Sequence, residues 1–401
     1  MSRHFPDFLA KYTEYAKGDS IPDFYNLWTG LSLIASVAQR KVWTVDDSRI
    51  GYPNLYVLLV GKPGAGKSQS IGKAQPLIYT LQRKIGVDYK LIEGVATQAG
   101  VMSNMNILVK NPDGSLYSPI YITGDEGSDS ALKNHADDFR ATATAMYDCK
   151  ELFQKTLKDK QYNIPNPVMN MLVGTTYDFL KTVVNENSVM GGLASRLTYV
   201  VDEKEISGES KLDVQSVFYD PEAVHLLTED LLEMYKMRGK FKFEKSALDL
   251  HSQWYRSYAE EVNEMTSERL RSIHVRRPFL LTKLFMLFSM SEREDLGVTA
   301  TQMEKAIATV DRVTRDYASI VSSAIIGNKT TQDSINQFIL QGIKKAGGII
   351  STSGLKAKFM AFGGDPSKYE GTVSMMDQAK MVERDLGAGT IKLLVDPDSY
   401  L

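Results

Sequence analysis

The 401-residue chain is 43% apolar and 24% charged, globular proportions that exclude wholesale disorder and an integral membrane protein and give enough length for two or three cores. With 47 Lys and Arg against 49 Asp and Glu the net charge is −2, so no global positive field marks a nucleic-acid binder and any such contact must be local. One cysteine, Cys149, and five histidines without paired spacing exclude a disulfide framework and a multi-cysteine zinc site, which suits a reducing cytoplasm.

The first residues lack the apolar run of a signal peptide. From Asp23 to Gln39 apolar residues recur at three- and four-residue steps behind Pro22, predicting an amphipathic leader helix. A β-prone piece at Lys41–Thr44 follows, and then Leu55–Val60 runs apolar without alternation, the pattern of a central parallel strand covered on both faces. Pro119–Thr123 and Val168–Gly174 look the same. Helical patterns at Ser68–Leu81 and Ser128–Tyr147 separate these runs, Leu197–Val201 is a fourth strand, and the alternation predicts a doubly wound α/β sheet. Polar, small residues at Ser207–Lys211 mark a boundary. Pro221–Ile326 is nearly all helical in pattern, and within it Phe279–Met290, too short for a bilayer span, reads as a buried helix. No membrane partner is expected. The tail reads as helix (Ser334–Lys345), strand (Ile349–Ser351), helix (Ser353–Phe359), helix (Val373–Arg384) and hairpin, the order of a winged helix. Four segments result: a helical leader (1–50), the α/β core (51–206), a helical lid (207–327) and a winged-helix-like domain (328–401).

The chemistry lies at strand ends. Gly61-Lys62-Pro63-Gly64-Ala65-Gly66-Lys67-Ser68 directly follows the first apolar strand and, with Gln69 next, opens a helix, the context that a G-x-x-x-x-G-K-[ST] phosphate loop requires. Glycines let backbone N–H groups curl around phosphate oxygens, Lys67 reaches the β- and γ-phosphates, Ser68 ligates Mg²⁺, and the helix N-terminus adds a favourable dipole. ATP and Mg²⁺ are the cofactors this predicts. Asp125 and Glu126 follow the Pro119–Thr123 strand, Asp125 to hold Mg²⁺ through water and Glu126 to orient or deprotonate the attacking water. Thr175 or Thr176, at the end of the next strand, is placed to position that water or to cap a helix. Arg196 follows a Gly-rich turn just before the last strand, suited to reach a neighbouring subunit's γ-phosphate or to make a structural ion pair.

This order of motifs resembles the AAA+ and RecA-type ring ATPases. The phrases Pro22-Asp23-Phe24-Tyr25, Pro53-Asn54-Leu55-Tyr56, Tyr147-Asp148, Asn166-Pro167 and Gly192-Leu193-Ala194-Ser195-Arg196 are more closely similar to a P-loop family of phages and mobile elements. Its members are often fused to primases or encoded near them and are taken to be replicative helicases. The resemblance implies a homo-oligomeric ring, expected as a hexamer, working on single-stranded DNA in the host cytoplasm, with primase or other replication proteins as partners. It also implies a hairpin pointing into the ring's pore just before the threonine strand. The segment Lys150–Tyr162 reads as that hairpin, with Lys155, Lys158 and Lys160 set to meet phosphates and Phe153 to stack or wedge. Arg269, Arg271, Arg276, Arg277 and Lys283 crowd around His274; Arg276 or Arg277 suits a second nucleotide sensor, and an ordinary solvated face gives the same pattern. From Lys329 to Leu401 nine Lys and Arg face eight Asp and Glu, too neutral for a domain that binds mainly phosphates. The function expected is a Mg²⁺-dependent ATP-hydrolysing ring motor. The rivals are a helicase loader or protein-remodelling ATPase and a non-motor, nucleotide-dependent assembly switch.

Overall fold

The computed structural model describes residues 3–18, 20–46, 49–94, 97–124, 136–157, 160–177, 192–202, 220–265, 271, 274–328, 332–361 and 366–394. The leader contains α1 (Phe8–Ala16), α2 (Asp23–Ala38), β1 (Val42–Asp46) and β2 (Arg49–Gly51). The α/β region follows with β3 (Tyr56–Val60), α3 (Lys67–Ile85), β4 (Leu91–Glu93), α4 (Gln98–Met105), β5 (Val109–Lys110), β6 (Leu116–Gly124) and α5 (Ala136–Tyr147). It ends with β7 (Leu152–Leu157), β8 (Lys160–Pro165), β9 (Pro167–Thr175) and β10 (Thr198–Val201). The helical region holds α6 (Pro221–Lys236), β11 (Gly239–Lys240), β12 (Lys242–Phe243), α7 (Lys245–Glu264), α8 (Arg277–Glu292), β13 (Gly297–Val298) and α9 (Ala300–Asn328). Last come α10 (Gln332–Lys345), β14 (Ile349–Ser351), α11 (Thr352–Ala361), α12 (Pro366–Gln378), β15 (Val382–Asp385) and β16 (Thr390–Leu393). Two compact units meet in sequence at Tyr317 and Ala318.

In the first unit, strands β10, β3, β9, β6 and β4 lie side by side in that order, all parallel, and β5 adds an antiparallel pair to β6. Every residue of β3 and β9 is buried, which is why neither strand alternates apolar with polar; the one polar side chain inside β9, Asn170, accepts from Leu55 N and donates to Ala35 O. Strand β9 intervenes between β3 and β6. At ~4.8 Å per strand this puts the ends of β3 and β6 roughly 10 Å apart.

Helix α2 runs where the sequence predicts it, but it is not amphipathic: fourteen of its sixteen residues are buried. Its polar positions find partners inside. Asn26 Nδ2 donates to Ala16 O, Thr29 Oγ1 meets Ser70 Oγ at 3.0 Å, and Ser32 and Ser36 pair with the hydroxyls of Tyr121 and Tyr89. Trp28, Leu31 and Ile34 of the same helix are fully buried in the main core.

The nearly all-helical reading of 221–326 needs one correction. Gly239–Lys240 pairs in parallel with β1, and Lys242–Phe243 pairs with Gly297–Val298, so short strands stitch the turns between helices. Helix α8 is buried over most of its length, as its composition predicts. Among the described residues no helix is long and apolar enough to cross a membrane.

The second unit has its own core of Ile339, Leu355, Tyr369, Val373, Val382 and Ile391. Strands β14, β16 and β15 form an antiparallel sheet in that order. The helix expected over Val373–Arg384 ends at Gln378 instead. Lys380 turns left-handed with φ +56°, Met381 N donates back to Met376 O, and Val382–Asp385 becomes β15.

Candidate functional site

The C-terminal edge of the parallel sheet gathers the glycine loop with Lys67 and Ser68, and Thr175 with Thr176; Arg196, which precedes β10, Arg276 near Asp148, and the hairpin that precedes β9 lie at the opposite edge. The glycine loop leaves β3 at Val60 and enters α3 at Lys67, with Gly64 and Gly66 both at φ +80°. No side chain caps α3 and its first turn has no acid; the N–H groups opening a helix have no intrahelical acceptors, so this terminus is open to an anion. A Cβ built on Gly64 would meet nothing within 4 Å, so the crest of the loop faces free space. Pro63, Ser68 and Gln69 are exposed and Ala65 is half-buried.

Lys67 is buried and folds back over its own loop, its Nζ donating to Gly61 O at 2.8 Å and Lys62 O at 2.7 Å. The ammonium thus sits inside the loop's curl on two carbonyls, a position from which it can exchange carbonyl oxygens for phosphate oxygens. Thr175 lies beside this loop. It is the register partner of Val60, its carbonyl accepts from Gly61 N at 3.2 Å, and its buried Oγ1 has no hydrogen-bond partner. A buried, unsatisfied hydroxyl is costly, and one at this edge fits a polar group arriving with a ligand. Thr176 follows, half-buried. Asp125 and Glu126 come directly after Gly124, the last residue of β6, whose register partner is Val173; both acids lie outside the described residues, as does Lys158.

The leader supports the loop, a feature that sequence patterns did not single out. Tyr25 donates from its hydroxyl to Val60 O at 2.7 Å, and a Cβ on Gly61 would stand 2.6 Å from the Tyr25 hydroxyl oxygen. Ser20 O lies 2.3 Å from where a Cβ of Gly66 would sit. Ser70, in the first turn of α3, bonds to both Asn26 and Thr29. The only sequence trace of this support is the run of polar residues on α2 that an amphipathic pattern assigns to solvent.

The arginines are less available than their sequence positions suggest. Arg196 is buried, grips Asp148 through Nε at 3.1 Å and Nη2 at 2.6 Å, and donates from Nη1 to Gly192 O at 2.6 Å. Arg277 is buried between Glu261 and Asp311, at 2.6 Å and 2.5 Å, with its guanidinium 5.7 Å from the Trp254 ring centroid. Arg276 is part-exposed and stands 3.9 Å from Asp148; burial and the neighbouring Arg196 push its pKa down. Lys283 is buried and donates to Tyr52 O and Asn54 Oδ1; burial lowers it to about 8. The expected basic helical face is therefore split, with Arg277 and Lys283 turned inward and Arg271 exposed. Arg269 lies outside the described residues.

The hairpin forms as predicted, β7 against β8, with Phe153 opposite Ile164 and Lys155 opposite Tyr162. Opposed residues share a face, and Tyr162 and Ile164 are buried. Phe153 and Lys155 therefore lie on the inward side, half-buried, while Gln154, Thr156, Gln161 and Asn163 form an uncharged outer face. Lys160 is exposed with its ammonium 5.0 Å from the Tyr162 ring. Among the described residues no group of three or more His, Cys, Asp or Glu could hold a metal ion.

The chain matches no protein-family model, and no curated protein matches it at a significant level.

Proposed function

We propose that the chain is a Mg²⁺-dependent P-loop ATPase of AAA+/RecA-like architecture, assembling into a homo-oligomeric ring and translocating on single-stranded DNA as a phage-type replicative helicase. The observation that carries this is the sheet edge. A glycine loop with Lys67 and Ser68 opens α3 from β3, and β9 stands between β3 and the strand that runs into Asp125 and Glu126. That strand order leaves room for a terminal phosphate and one water between the loop and the end of β6.

In this function the N–H groups of 64–68 and the Lys67 ammonium bind the phosphate oxygens. The Ser68 hydroxyl and the Asp125 carboxylate are oxygen donors of the kind Mg²⁺ takes, and the ion supplies charge neutralisation to phosphoryl transfer when bound. Glu126 accepts the proton of the attacking water, and the Thr175 hydroxyl orients that water. Arg196 completes a neighbouring copy's site only by exchanging Asp148 for that copy's phosphate. The second unit, with helix, strand, two helices and a β-hairpin in order, is read as winged-helix-like.

A second reading, a helicase loader or protein-remodelling ATPase, is favoured by the uncharged outer face of the hairpin. Unwinding of a forked duplex by the purified chain, with Lys67→Ala as the inactive control, tests the proposal. Strand separation that needs ATP and Lys67 is expected. Hydrolysis without unwinding under any salt condition would refute the helicase and leave the loader.

A further inference from the structure

The described outer face of the hairpin is uncharged, yet the hairpin's base borders a strongly cationic cleft. A cavity of about 860 Å³ is lined by Arg40 after α2, Arg49 in β2, Lys150 before β7, and Arg276 and Lys283 around the start of α8. Among the described residues two carboxylates, Asp148 and Glu151, line it as well. Asp148 is already gripped bidentately by Arg196. Among the described residues Arg40, Arg49 and Lys150 have no carboxylate within ion-pairing distance, and Arg276 reaches only the occupied Asp148 at 3.9 Å. Arg40 is held on the carbonyls of Cys149 and Lys150 at 2.6 Å and 3.1 Å, and Lys283 on Tyr52 O and Asn54 Oδ1; Arg49, Lys150 and Arg276, with no unshared carboxylate among the described residues, repel one another and are relieved by a polyanion.

Two rings give the cleft its second property. The Arg40 guanidinium lies 4.3 Å from the centroid of Tyr52, and those of Arg276 and Arg49 lie 5.4 Å and 5.9 Å from that of Phe279. Flat aromatic and guanidinium surfaces beside phosphate-binding cations are what unpaired bases stack on. The cleft is also elongated. A second cavity of about 520 Å³ shares Arg40, Ile50, Tyr52 and Asn166 with the first and continues to Arg238. An extended chain fits a run of this kind better than a compact anion.

We propose that single-stranded DNA is bound in this groove, its phosphates on Arg49, Lys150 and Arg276 and its bases against Tyr52 and Phe279, and that the groove rather than the hairpin tip is the main DNA contact. Lys283, buried on Tyr52 O and Asn54 Oδ1, contributes charge beneath the groove but no direct contact. The proposal rests on the single-strand motor reading above and assigns that motor its strand site.

The test is fluorescence anisotropy of a labelled oligothymidylate against the full chain across a salt series. The variants are Arg49→Glu with Lys150→Glu in the groove and Lys155→Glu with Lys160→Glu on the hairpin, each checked by its melting curve. Groove substitution is expected to weaken binding at least about tenfold and to lower the salt slope by roughly 1.4, about 0.7 per lost phosphate contact, with a smaller loss for the hairpin pair. Wild-type binding that survives groove substitution but falls with the hairpin pair overturns the groove and leaves the motor standing. No binding by the wild-type chain overturns both. Displacement of the oligonucleotide by polyglutamate at equal charge overturns the single-strand assignment in favour of an acidic protein partner.

Discussion

Replacing Gly66 and Gly64 by alanine, one at a time, separates the role of the leader from that of the open loop crest. Both glycines sit at φ +80°, so each substitution carries the left-handed cost of about 1 kcal/mol. Their surroundings differ. The new Cβ at position 66 would lie 2.3 Å from Ser20 O and 3.0 Å from Ile21 Cα, both backbone, whereas at position 64 nothing lies within 4 Å. Relieving the first clash means moving the Ser20–Pro22 segment or the loop by about 1 Å, an overpacking cost of roughly 1–3 kcal/mol. Gly66→Ala should therefore destabilise by about 2–4 kcal/mol and Gly64→Ala by about 1 kcal/mol, read from urea unfolding at constant m-value. A fluorescent MgATP analogue provides the second readout. Gly64→Ala fills the space over the loop and should lose affinity with little loss of stability, while Gly66→Ala should lose both. Equal stability of the two variants would refute the claim that the leader presses on the loop.

Three further outcomes are expected. The ordinary lysine value is 10.5, and Lys283 titrates at about 8 in the folded chain, so between these values the unfolded chain binds more protons. The penalty is full below about pH 8 and is relieved as pH rises; Lys283→Met should remove about 2 kcal/mol of the stability that wild type gains between pH 8 and about 9.5, and identical pH profiles would contradict this. A double-mutant cycle on Arg196→Ala and Asp148→Ala should give a coupling of about 1–2 kcal/mol, moderated because Asp148 is partly exposed; additive losses would mean the ion pair is not formed in solution. Leu355→Ala, in the core of the second unit, should cost about 2–5 kcal/mol in the tail's unfolding without changing MgATP affinity, and a parallel fall in that affinity would refute the claim that this core is the second unit's own.

The parts of the fold that burial alone specifies were legible. Strands β3, β6, β9 and β10 have both faces covered, and their mainly apolar, non-alternating runs announce this. Helix α2 was misread because Asn26, Thr29, Ser32 and Ser36 look like a solvent face and are instead satisfied by Ala16 O, Ser70, Tyr121 and Tyr89, contacts at separations no local pattern encodes. The end of α12 was placed too late because Lys380 takes a positive φ that its residue type does not favour. At the candidate site the loop and Lys67 were legible from spacing. The loop's support by Tyr25 and Ser20 was not, nor was the grip of Asp148 on Arg196, nor the convergence of Arg40 and Arg49 with Lys150 and Arg276, because each joins residues far apart in the chain.

The central claim is nucleotide hydrolysis at the glycine loop, and phosphate release from ATP by the purified chain tests it most directly. Release should require Mg²⁺, stop with a chelator and fall about a hundredfold or more in Lys67→Ala, with the variant melting like wild type. Absence of MgATP binding by the wild-type chain, or hydrolysis unaffected by Lys67→Ala, would contradict it.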